Sequence, residues 1–320
     1  MLRLGILGCA RIVRRAIVAA ARKSSSVEIT ALAGRNGATA AAWAAEFGIP
    51  KHYDSYEALL ADPEIDAVYI PLPNELHLPW TERAAEAGKH VLCEKPLALN
   101  VAQAMLMSDA CRKAGVVLME AFMWRHHPRV AHARKLLADG KLGELRLVKM
   151  DFSFDIDRSD WRLDAARGGG ALFDLGCYGI NIARTFTQSE PTEIVARGKY
   201  FSPGVDSTLS MLLRFPDDVT ALLDCSFECP PRNRFEIVGT AGSLEFPAGV
   251  LPADESVLLH HTNHGLETIR FGAGDQYAEM LSCFARSVAA GKLEHPAEDG
   301  TANMSVLQAV RDAAMAGSPG

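Results

Sequence analysis

The chain has few of the features that mark a membrane, secreted or nucleic-acid-binding protein. No stretch of about 18 apolar residues is free of charge, so we expect no transmembrane helix and no membrane partner. The 33 basic and 39 acidic residues give a net charge of -6, which does not favour a nucleic-acid partner. Arg11, Arg14 and Arg15 fall where a signal peptide would place its apolar segment. We therefore expect a cytoplasmic protein.

Cysteine is present without a recognisable pattern. The seven cysteines are odd in number and form no Cys-x-x-Cys pair, so reduced thiols in a cytoplasm are the simplest interpretation. The length of 320 residues is too great for one typical hydrophobic core. We therefore expect two domains.

Short aliphatic runs alternate with alanine-rich helical stretches over residues 1–120, which we take as the first domain. LRLGIL, VEITALA, DAVYIPL and HVLCEKP are predicted strands, and a helix is predicted from Ala10 to Lys23. Strands that alternate with helices in this way form βαβ units. The expected fold class is therefore α/β, with a doubly wound parallel sheet in this domain.

Residues 121–320, the predicted second domain, are richer in β signal. LRLVKMDFSFDI, TEIVARGKYF, STLSMLLRFPD, VTALLDCSFE, RFEIVGTAGSLEF and ESVLLHH follow one another with short polar turns. Such a series predicts an antiparallel or mixed sheet. Two helices, about Gln276 to Gly291 and Thr301 to Ala316, are predicted after it.

A glycine-led turn follows the first predicted strand. GILGCARIV places Gly8 where a dinucleotide-binding fold has its first glycine, but Ala10 and Val13 replace the second and third. The methyl group of Ala10 still allows a pyrophosphate to approach a helix N-terminus. An ordinary strand–helix turn is the alternative interpretation.

The end of the second strand bears on the choice of cofactor. Gly34 and Arg35 stand where a site for NAD often has Asp or Glu. A guanidinium group can bind the 2′-phosphate of NADP through two parallel hydrogen bonds. NADP is therefore the predicted cofactor, with NAD also possible; a solvated surface arginine is the alternative.

Three side chains form a candidate proton-transfer group. Lys95 ends a strand and precedes a proline, which restricts its backbone. Asp174 and Tyr178 are four residues apart and share a helix face, after three glycines that permit close backbone approach. A tyrosine has a pKa near 10, so a nearby cation such as Lys95 would be needed to make its anion accessible. The alternatives are a surface lysine and a buried tyrosine bonded to a helix carboxylate.

Four segments together resemble one known family. GILGCARI, PLPNELH, AGKHVLCEKPLA and GGGALFDLGCYGIN occur in this order, and the chain resembles the glucose-fructose oxidoreductase and inositol dehydrogenase (Gfo/Idh/MocA) family over essentially its whole length. Because it has tyrosine at position 178, the chain resembles the branch of this family that contains dimeric dihydrodiol dehydrogenase and NADP-dependent D-xylose dehydrogenase.

The resemblance implies an N-terminal Rossmann domain, a C-terminal α/β domain with a large open-faced sheet, and hydride transfer between NADP and a hydroxyl or carbonyl carbon. It implies that Tyr178 and Lys95 transfer the proton, with Asp174 in support. The implied cofactor-binding residues are Gly8, Ala10, Arg11, Ile12, Arg35, Pro73, Asn74, His77, Glu94 and Lys95. The implied substrate contacts are Trp124, Arg125, Trp161 and Arg162.

Histidine clusters do not predict a metal site. His126 and His127 lack a third ligand at zinc-like spacing, and the same holds for His260, His261 and His264. Loop histidines in contact with solvent are the preferred interpretation, and we expect no metal.

Three functions remain open from the sequence. The first is an NADP-dependent oxidoreductase that acts on a polyol, sugar or cyclic diol. The second is a sensor or regulator that binds NADP(H) without catalysis, and the third is an enzyme whose tightly held cofactor cycles between two substrates. An open-faced sheet needs a cover, so the resemblance implies a homodimer or homotetramer.

Overall fold

The computed structural model describes residues 1–252, 255–272, 274–293 and 296–316. They form two compact units. The first unit comprises Met1–His126 and Asp275–Ala302, and the second comprises His127–Gly274 and the chain from Asn303 onward. The chain therefore changes unit three times, and a single boundary after residue 120 stays a prediction.

The described elements are as follows. The strands are β1 (Leu2–Leu7), β2 (Val27–Ala33), β3 (Lys51–Tyr53), β4 (Ala67–Ile70), β5 (His90–Cys93), β6 (Leu118–Glu120), β7 (Leu145–Ser153), β8 (Glu193–Ser202), β9 (Val205–Arg214), β10 (Thr220–Ser226), β11 (Arg232–Gly239), β12 (Gly242–Phe246), β13 (Ser256–Thr262) and β14 (Gly265–Phe271). The α-helices are α1 (Val18–Lys23), α2 (Gly37–Phe47), α3 (Tyr56–Leu60), α4 (His77–Glu86), α5 (Val101–Ala114), α6 (Pro128–Ala138), α7 (Cys177–Thr187), α8 (Gln276–Ala290) and α9 (Ala297–Ala316).

The first unit contains a six-stranded sheet in the order β3-β2-β1-β4-β5-β6. Every neighbouring pair is parallel, and the reversal of order at β1 is the doubly wound arrangement. The predicted parallel sheet is therefore confirmed. All four residues of β4 are buried, as expected for a strand covered by helices on both faces of its sheet.

Local signals set the helix boundaries in this unit. The side chain of Asn36 accepts a hydrogen bond from the N–H of Thr39 at the start of α2. Asn100 accepts from the N–H of Gln103 at the start of α5. These side chains satisfy N–H groups that have no partner inside their helices.

The second unit contains an eight-stranded sheet in the order β14-β13-β12-β11-β7-β10-β9-β8. Among the described strands of this sheet, only β7 and β10 pair in parallel, so the predicted antiparallel or mixed sheet is confirmed. Helix α7 covers one face, and a Cβ at its Gly179 would lie 2.8 Å from Met150 Sδ. Residues Leu212 and Leu222 pair across β9 and β10 on the other face, where Leu222 is 42% exposed.

Taken together, the length and apolar character of the described helices differ from those of a membrane-spanning helix. Within the ranges given above, none of them combines the length and the apolar character that crossing a bilayer requires.

A carboxylate anchors the edge strand of the first sheet. Asp62 is 9% exposed and accepts hydrogen bonds from Lys51 Nζ at 2.7 Å, from the Tyr53 hydroxyl at 2.6 Å and from the Glu64 N–H at 2.8 Å. The hydrogen bond from Lys51 and then that from Tyr53 lower the pKa of Asp62 from 3.8 to about 2. Asp62 therefore binds its proton less tightly in the folded than in the unfolded chain.

We predict that Asp62→Asn lowers the free energy of unfolding by about 1–2 kcal/mol at pH 7. The lowered pKa means that the carboxylate contributes its full stability above its unfolded pKa, and that this contribution is lost as pH falls through about 2. Urea unfolding at several pH values should therefore show the difference shrinking below pH ~4. Asp109→Asn, at an exposed ion pair with Arg112, is the control and should change the free energy of unfolding much less, because solvent screens an exposed ion pair. A loss that does not vary with pH would contradict this account.

Candidate functional site

The turn after β1 favours glycine at its first position. Gly8 has φ +113°, and a Cβ there would lie 2.8 Å from Leu72 Cδ2. A helix begins at Arg11, and Val13 N–H donates to the carbonyl of Ala10 at 3.0 Å. The first N–H groups of a helix lack partners within it and favour an anion. Gly8, Ala10, Arg11 and Ile12 thus lie at a helix N-terminus, where an anion would be favoured, and their contact with a phosphate stays a prediction.

Arg35 lies beside this turn. Its guanidinium group donates a hydrogen bond to the Tyr56 hydroxyl, and that oxygen is 3.5 Å from the position of a Cβ on Gly8. Burial raises the pKa of Tyr56, and the charge of Arg35 opposes the rise. Arg35 is itself exposed, so its remaining donors are accessible to a ligand at the turn.

The segment PLPNELH supports a neighbouring loop. Its His77 is fully buried, with Nε2 at 2.8 Å from the carbonyl of Leu72 and Nδ1 at 3.1 and 3.2 Å from the carbonyls of Pro96 and Leu97. Burial lowers the pKa of His77. Both ring nitrogens face carbonyl groups in the interior, and the contact of His77 with the cofactor that the resemblance implies stays a prediction. Pro73 and Asn74 precede it, and Asn74 is 6% exposed.

Lys95 stands in the loop after β5, before a cis peptide bond to Pro96. Its own N–H donates to Glu94 Oε2 at 3.2 Å. The other oxygen of Glu94 accepts from the hydroxyl of Tyr69 at 2.6 Å, and Tyr69 is fully buried. The backbone of Lys95 is thus held by a carboxylate that is itself fixed from the strand β4.

The far side of the same loop is held by Glu120. Its Oε1 accepts from the N–H of Leu97 at 2.8 Å. Together with His77, this bond fixes both sides of the turn that follows Lys95, so that the lysine starts from an ordered backbone.

Two further residues of the first unit were not singled out from the sequence. Arg15 donates a hydrogen bond to Tyr277, near the start of α8. Burial raises the pKa of Tyr277, the charge of Glu94 adds to the rise, and Arg15 and Lys95 oppose it. The charges of Glu94, Arg15 and Lys95 therefore lie close enough to Tyr277 to change its pKa. No local signal could have shown this, because Tyr277 is distant in sequence from the rest.

Trp124 and Arg125 both have buried side chains. Trp124 is 1% exposed. Arg125 forms an ion pair with Asp299 at 2.7 Å, and its side chain is 7% exposed. Within the first unit, Trp124 is thus buried in the core, and its role as a substrate contact stays a prediction. The charge of Arg125 is already balanced.

In the second unit, Asp174 is paired with Arg162. Arg162 Nε lies 3.2 Å from Asp174 Oδ2 and its Nη1 lies 3.2 Å from Asp160 Oδ1. The guanidinium groups of Arg162 and Arg167 lie 4.7 and 5.3 Å from the ring centre of Trp161, within cation–π range. The structure therefore brings the predicted residues Trp161, Arg162 and Asp174 together.

Tyr178 follows Asp174 on the same continuous helix. Residues Leu172–Gly176 form a π-helical turn that runs directly into α7, and such turns are frequent at functional sites. Tyr178 is 6% exposed and packs against Phe152, with 5.9 Å between ring centres. Asp174 and Tyr178, predicted to share one face of an α-helix, are thus separated by part of a π-helical turn, which is wider than a turn of an α-helix.

Two of the three glycines before this helix have distinct packing reasons. A Cβ on Gly169 would collide with the carbonyl oxygen of Arg162, and one on Gly170 would collide with Asp206 Oδ1. Gly170 also has φ +114°, which side chains rarely allow. The glycines thus let the Arg162 loop on one side and β9 on the other lie directly against the start of the helix.

The described histidines do not gather into a metal site. His127 Nδ1 accepts from the N–H of Arg129, and its Nε2 lies 3.0 Å from Ser256 Oγ. Burial, and then the charge of Arg129, lower the pKa of His127 to about 4. Across the described ranges, no group of three or more His, Cys, Asp or Glu side chains has the arrangement of a metal site.

Two family models match the chain. One, described as the oxidoreductase family with an NAD-binding Rossmann fold, matches residues 2–122. The other, described as the GFO/IDH/MocA C-terminal domain, matches residues 130–245. Together they span both parts of the sequence in which motifs were identified.

Several known proteins are similar over most of the chain. D-xylose 1-dehydrogenase (NADP(+)) 2 of Haloferax volcanii is 39% identical over 310 residues, covering 96% of this chain and 94% of the relative. Trans-1,2-dihydrobenzene-1,2-diol dehydrogenase of Mus musculus is 34% identical over 273 residues, covering 78% and 82%. The crystal structure of a 3-ketoreductase from Actinomadura kijaniata in complex with NADP and TDP-benzene has a TM-score of 0.89 and 34% identity, covering 98% of this chain and 97% of that chain.

These matches agree with the parallel sheet and its glycine-led turn, the Lys95 loop, and the helix that carries Asp174 and Tyr178. The chain therefore belongs to the GFO/IDH/MocA oxidoreductase family.

Proposed function

We propose that the protein is an NADP-dependent oxidoreductase that moves a hydride between the nicotinamide and a hydroxyl or carbonyl carbon of a sugar or cyclic diol. The observation that carries the proposal is the construction of two ordered supports for proton transfer. The first unit fixes the backbone of Lys95 through Glu94, and the second pairs Asp174 with Arg162 one turn before Tyr178. Both supports occur in a chain of an oxidoreductase family.

The residues of the first unit fit NADP. The turn at Gly8 has a φ of +113°, which side chains rarely adopt, and opens a helix, so Gly8, Ala10, Arg11 and Ile12 would hold the pyrophosphate. Arg35, hydrogen-bonded to Tyr56 beside that turn, would hold the 2′-phosphate, whereas a carboxylate there would repel it. Pro73, Asn74, Glu94 and Lys95 would line the nicotinamide half. NAD remains a second possible cofactor.

Tyr178 is the proposed acid–base group. When NADP is bound it supplies the hydride acceptor, or in its reduced form the donor. Tyr178 removes the proton from the substrate hydroxyl, and in the reverse direction it donates a proton to the alkoxide. A phenol with a pKa near 10 needs a cation to act at neutral pH, and Lys95 is proposed to supply that charge. Asp174, paired with Arg162, supports the two groups.

The charges near the predicted substrate residues favour a neutral polyol or sugar. Arg162 is already paired with Asp160 and Asp174, and Arg125 with Asp299. The positive charge of each guanidinium group is therefore already balanced by a carboxylate and is not the unbalanced charge that would bind a substrate phosphate. This supports a substrate such as those named for the xylose and dihydrodiol dehydrogenases rather than a sugar nucleotide.

A sensor that binds NADP(H) without catalysis is the second candidate. It would explain the fold and the phosphate turn, but not the ordered supports around Lys95 and Asp174. A cofactor that never dissociates is a further variant of the enzyme. Mass spectrometry of the protein as purified would distinguish this enzyme from one that exchanges its cofactor, because a permanently bound cofactor would be released only on denaturation.

Free thiols support a cytoplasmic location, which we also propose. The cysteines are reduced in the structure, and five of the seven are buried: Cys93, Cys111, Cys177, Cys225 and Cys283.

We predict that Tyr178→Phe and Lys95→Met each lower kcat by about 10²- to 10⁴-fold, the usual range for removing a general acid–base group. Binding of NADPH, measured by fluorescence titration, should change by no more than a few-fold. Tyr53→Phe and Lys135→Met are matched controls, because their polar atoms bond to Asp62 and Asp139. Retained turnover in either active-site variant would remove that residue from its proposed role.

We predict that Arg35→Ser raises the Kd for NADPH by about 10- to 100-fold and leaves the Kd for NADH nearly unchanged. The reason is the loss of charge-assisted hydrogen bonds that only the 2′-phosphate can accept. Arg112→Ser, on the exposed side of α5, is the control. An equal effect on both cofactors would place Arg35 away from the 2′-phosphate.

A second copy of the chain is the proposed cover of the open sheet face. Leu222 is 42% exposed there, next to the ion pairs Arg232–Asp224 at 2.5 Å and Arg234–Asp151 at 2.7 Å. An apolar centre with charged surroundings is typical of an interface between proteins. A homodimer or homotetramer is therefore proposed.

We predict that sedimentation gives a multiple of 34.6 kDa for the native protein and a monomer for Leu222→Glu. A buried, unpaired carboxylate at the interface opposes association. Leu106→Glu is the control, since Leu106 is 52% exposed on α5. A native protein that sediments as a monomer, or a Leu222→Glu variant that still associates, would refute this interface.

A further inference from the structure

Asp206 is a buried carboxylate that meets the start of the helix carrying Asp174 and Tyr178. It lies at the beginning of β9 and is 6% exposed. Its Oδ2 accepts a hydrogen bond from the N–H of Leu172 at 2.7 Å, and the N–H of Ala171 also donates to it. These are the first N–H groups of the helix, so the anion acts as a cap from another element.

The contact is built into the chain. A Cβ on Gly170 would collide with Asp206 Oδ1, and the φ of +114° at Gly170 is one that side chains rarely adopt. Glycine at this position and aspartate on β9 therefore depend on each other. Neither the proton-transfer chemistry nor the substrate contacts account for this pairing.

The surroundings of Asp206 contain no compensating ion pair among the described residues. Burial raises the pKa of Asp206 to about 6, and the bonds from Leu172, its own N–H and Ala171 oppose the rise. The carboxylate is therefore charged at pH 8 and neutral well below pH 6. The titratable groups on the adjoining elements are Tyr200 opposite it on β8, Cys225 on β10, whose pKa is raised by burial and then by Asp206, Cys177 and Asp174 on the helix, and Arg162 in the loop before it.

We propose that Asp206 is a positioning residue for proton transfer: its charged carboxylate fixes the first turn of the helix, so that Asp174 and Tyr178 keep their places. The inference rests on the proposed function of Tyr178. The turn that Asp206 caps is the π-helical segment Leu172–Gly176, whose hydrogen-bond pattern is rare in proteins. A shift of about 1 Å in a catalytic group can cost up to 10²-fold in rate.

The test is Asp206→Asn, which keeps the shape, removes the charge and replaces one acceptor by a donor that faces N–H groups. At pH 8 the variant should show kcat about tenfold below the native value, with KM and the Kd for NADPH within about twofold. The ratio of native to variant kcat should approach one below about pH 5, because the native carboxylate is then protonated as well. Using the ratio cancels titrations that both proteins share.

Asp218→Asn is the matched control. Asp218 lies in the turn that joins β9 to β10, its side chain is 91% exposed, and its φ of +57° suits asparagine. This variant should match the native protein at every pH. A ratio for Asp206→Asn that stays constant across pH, or stays at one, would overturn the proposal.

A second readout does not depend on turnover. Hydrogen exchange at pH 7.5 should be faster in peptides covering residues 171–178 in Asp206→Asn than in the native protein, and unchanged in the control. Unchanged exchange in Asp206→Asn would overturn the proposal even if the native enzyme acted on none of the substrates tried, an outcome that would count against the proposed function alone. If Asp206→Asn does not fold, Asp206→Ser replaces it, because a hydroxyl can still cap a helix.

Discussion

Close backbone approach at two glycines is the constraint on which the candidate site depends. At Gly8 a Cβ would lie against Leu72, and at Gly170 it would collide with Asp206. The first contact sets the turn from β1 into the helix that can receive a phosphate. The second sets the start of the helix that carries Asp174 and Tyr178. Both helices contain a π-helical turn shortly after the glycine, so in each unit an irregular helix is fixed at its origin by packing rather than by its own hydrogen bonds.

The order of strands and helices could be predicted because local patterns determine it. Continuous apolar runs such as the one at β4 report burial on both faces, and the helix predicted at Gln276 to Gly291 is α8 with one residue fewer. The strand β14 was not predicted, because it is largely exposed and lacks the apolar alternation that marks a strand. The helix predicted from Thr301 begins at Ala297 instead, with Glu298 and Asp299 in its first turn.

The site could be predicted only where a motif states the chemistry locally. The glycine turn, Arg35 and the Lys95 loop belong to short segments with recognisable spacing. Asp206, Glu120 and Tyr277 could not be found in this way, because each meets its partner through a contact between distant parts of the sequence. The burial of His77 and Trp124 could not be predicted either, since it depends on the packing of the whole first unit and a short motif gives no measure of it.

The most direct test of the account is the absorbance of the reduced-nicotinamide band when the purified protein is mixed with NADP and, separately, D-xylose, D-glucose or a cyclic trans-diol. The account predicts reduction of NADP by at least one of these substrates, at a higher rate than with NAD. No change in any mixture, although NADPH binds by fluorescence, would contradict hydride transfer to this class of substrate and would favour the sensor.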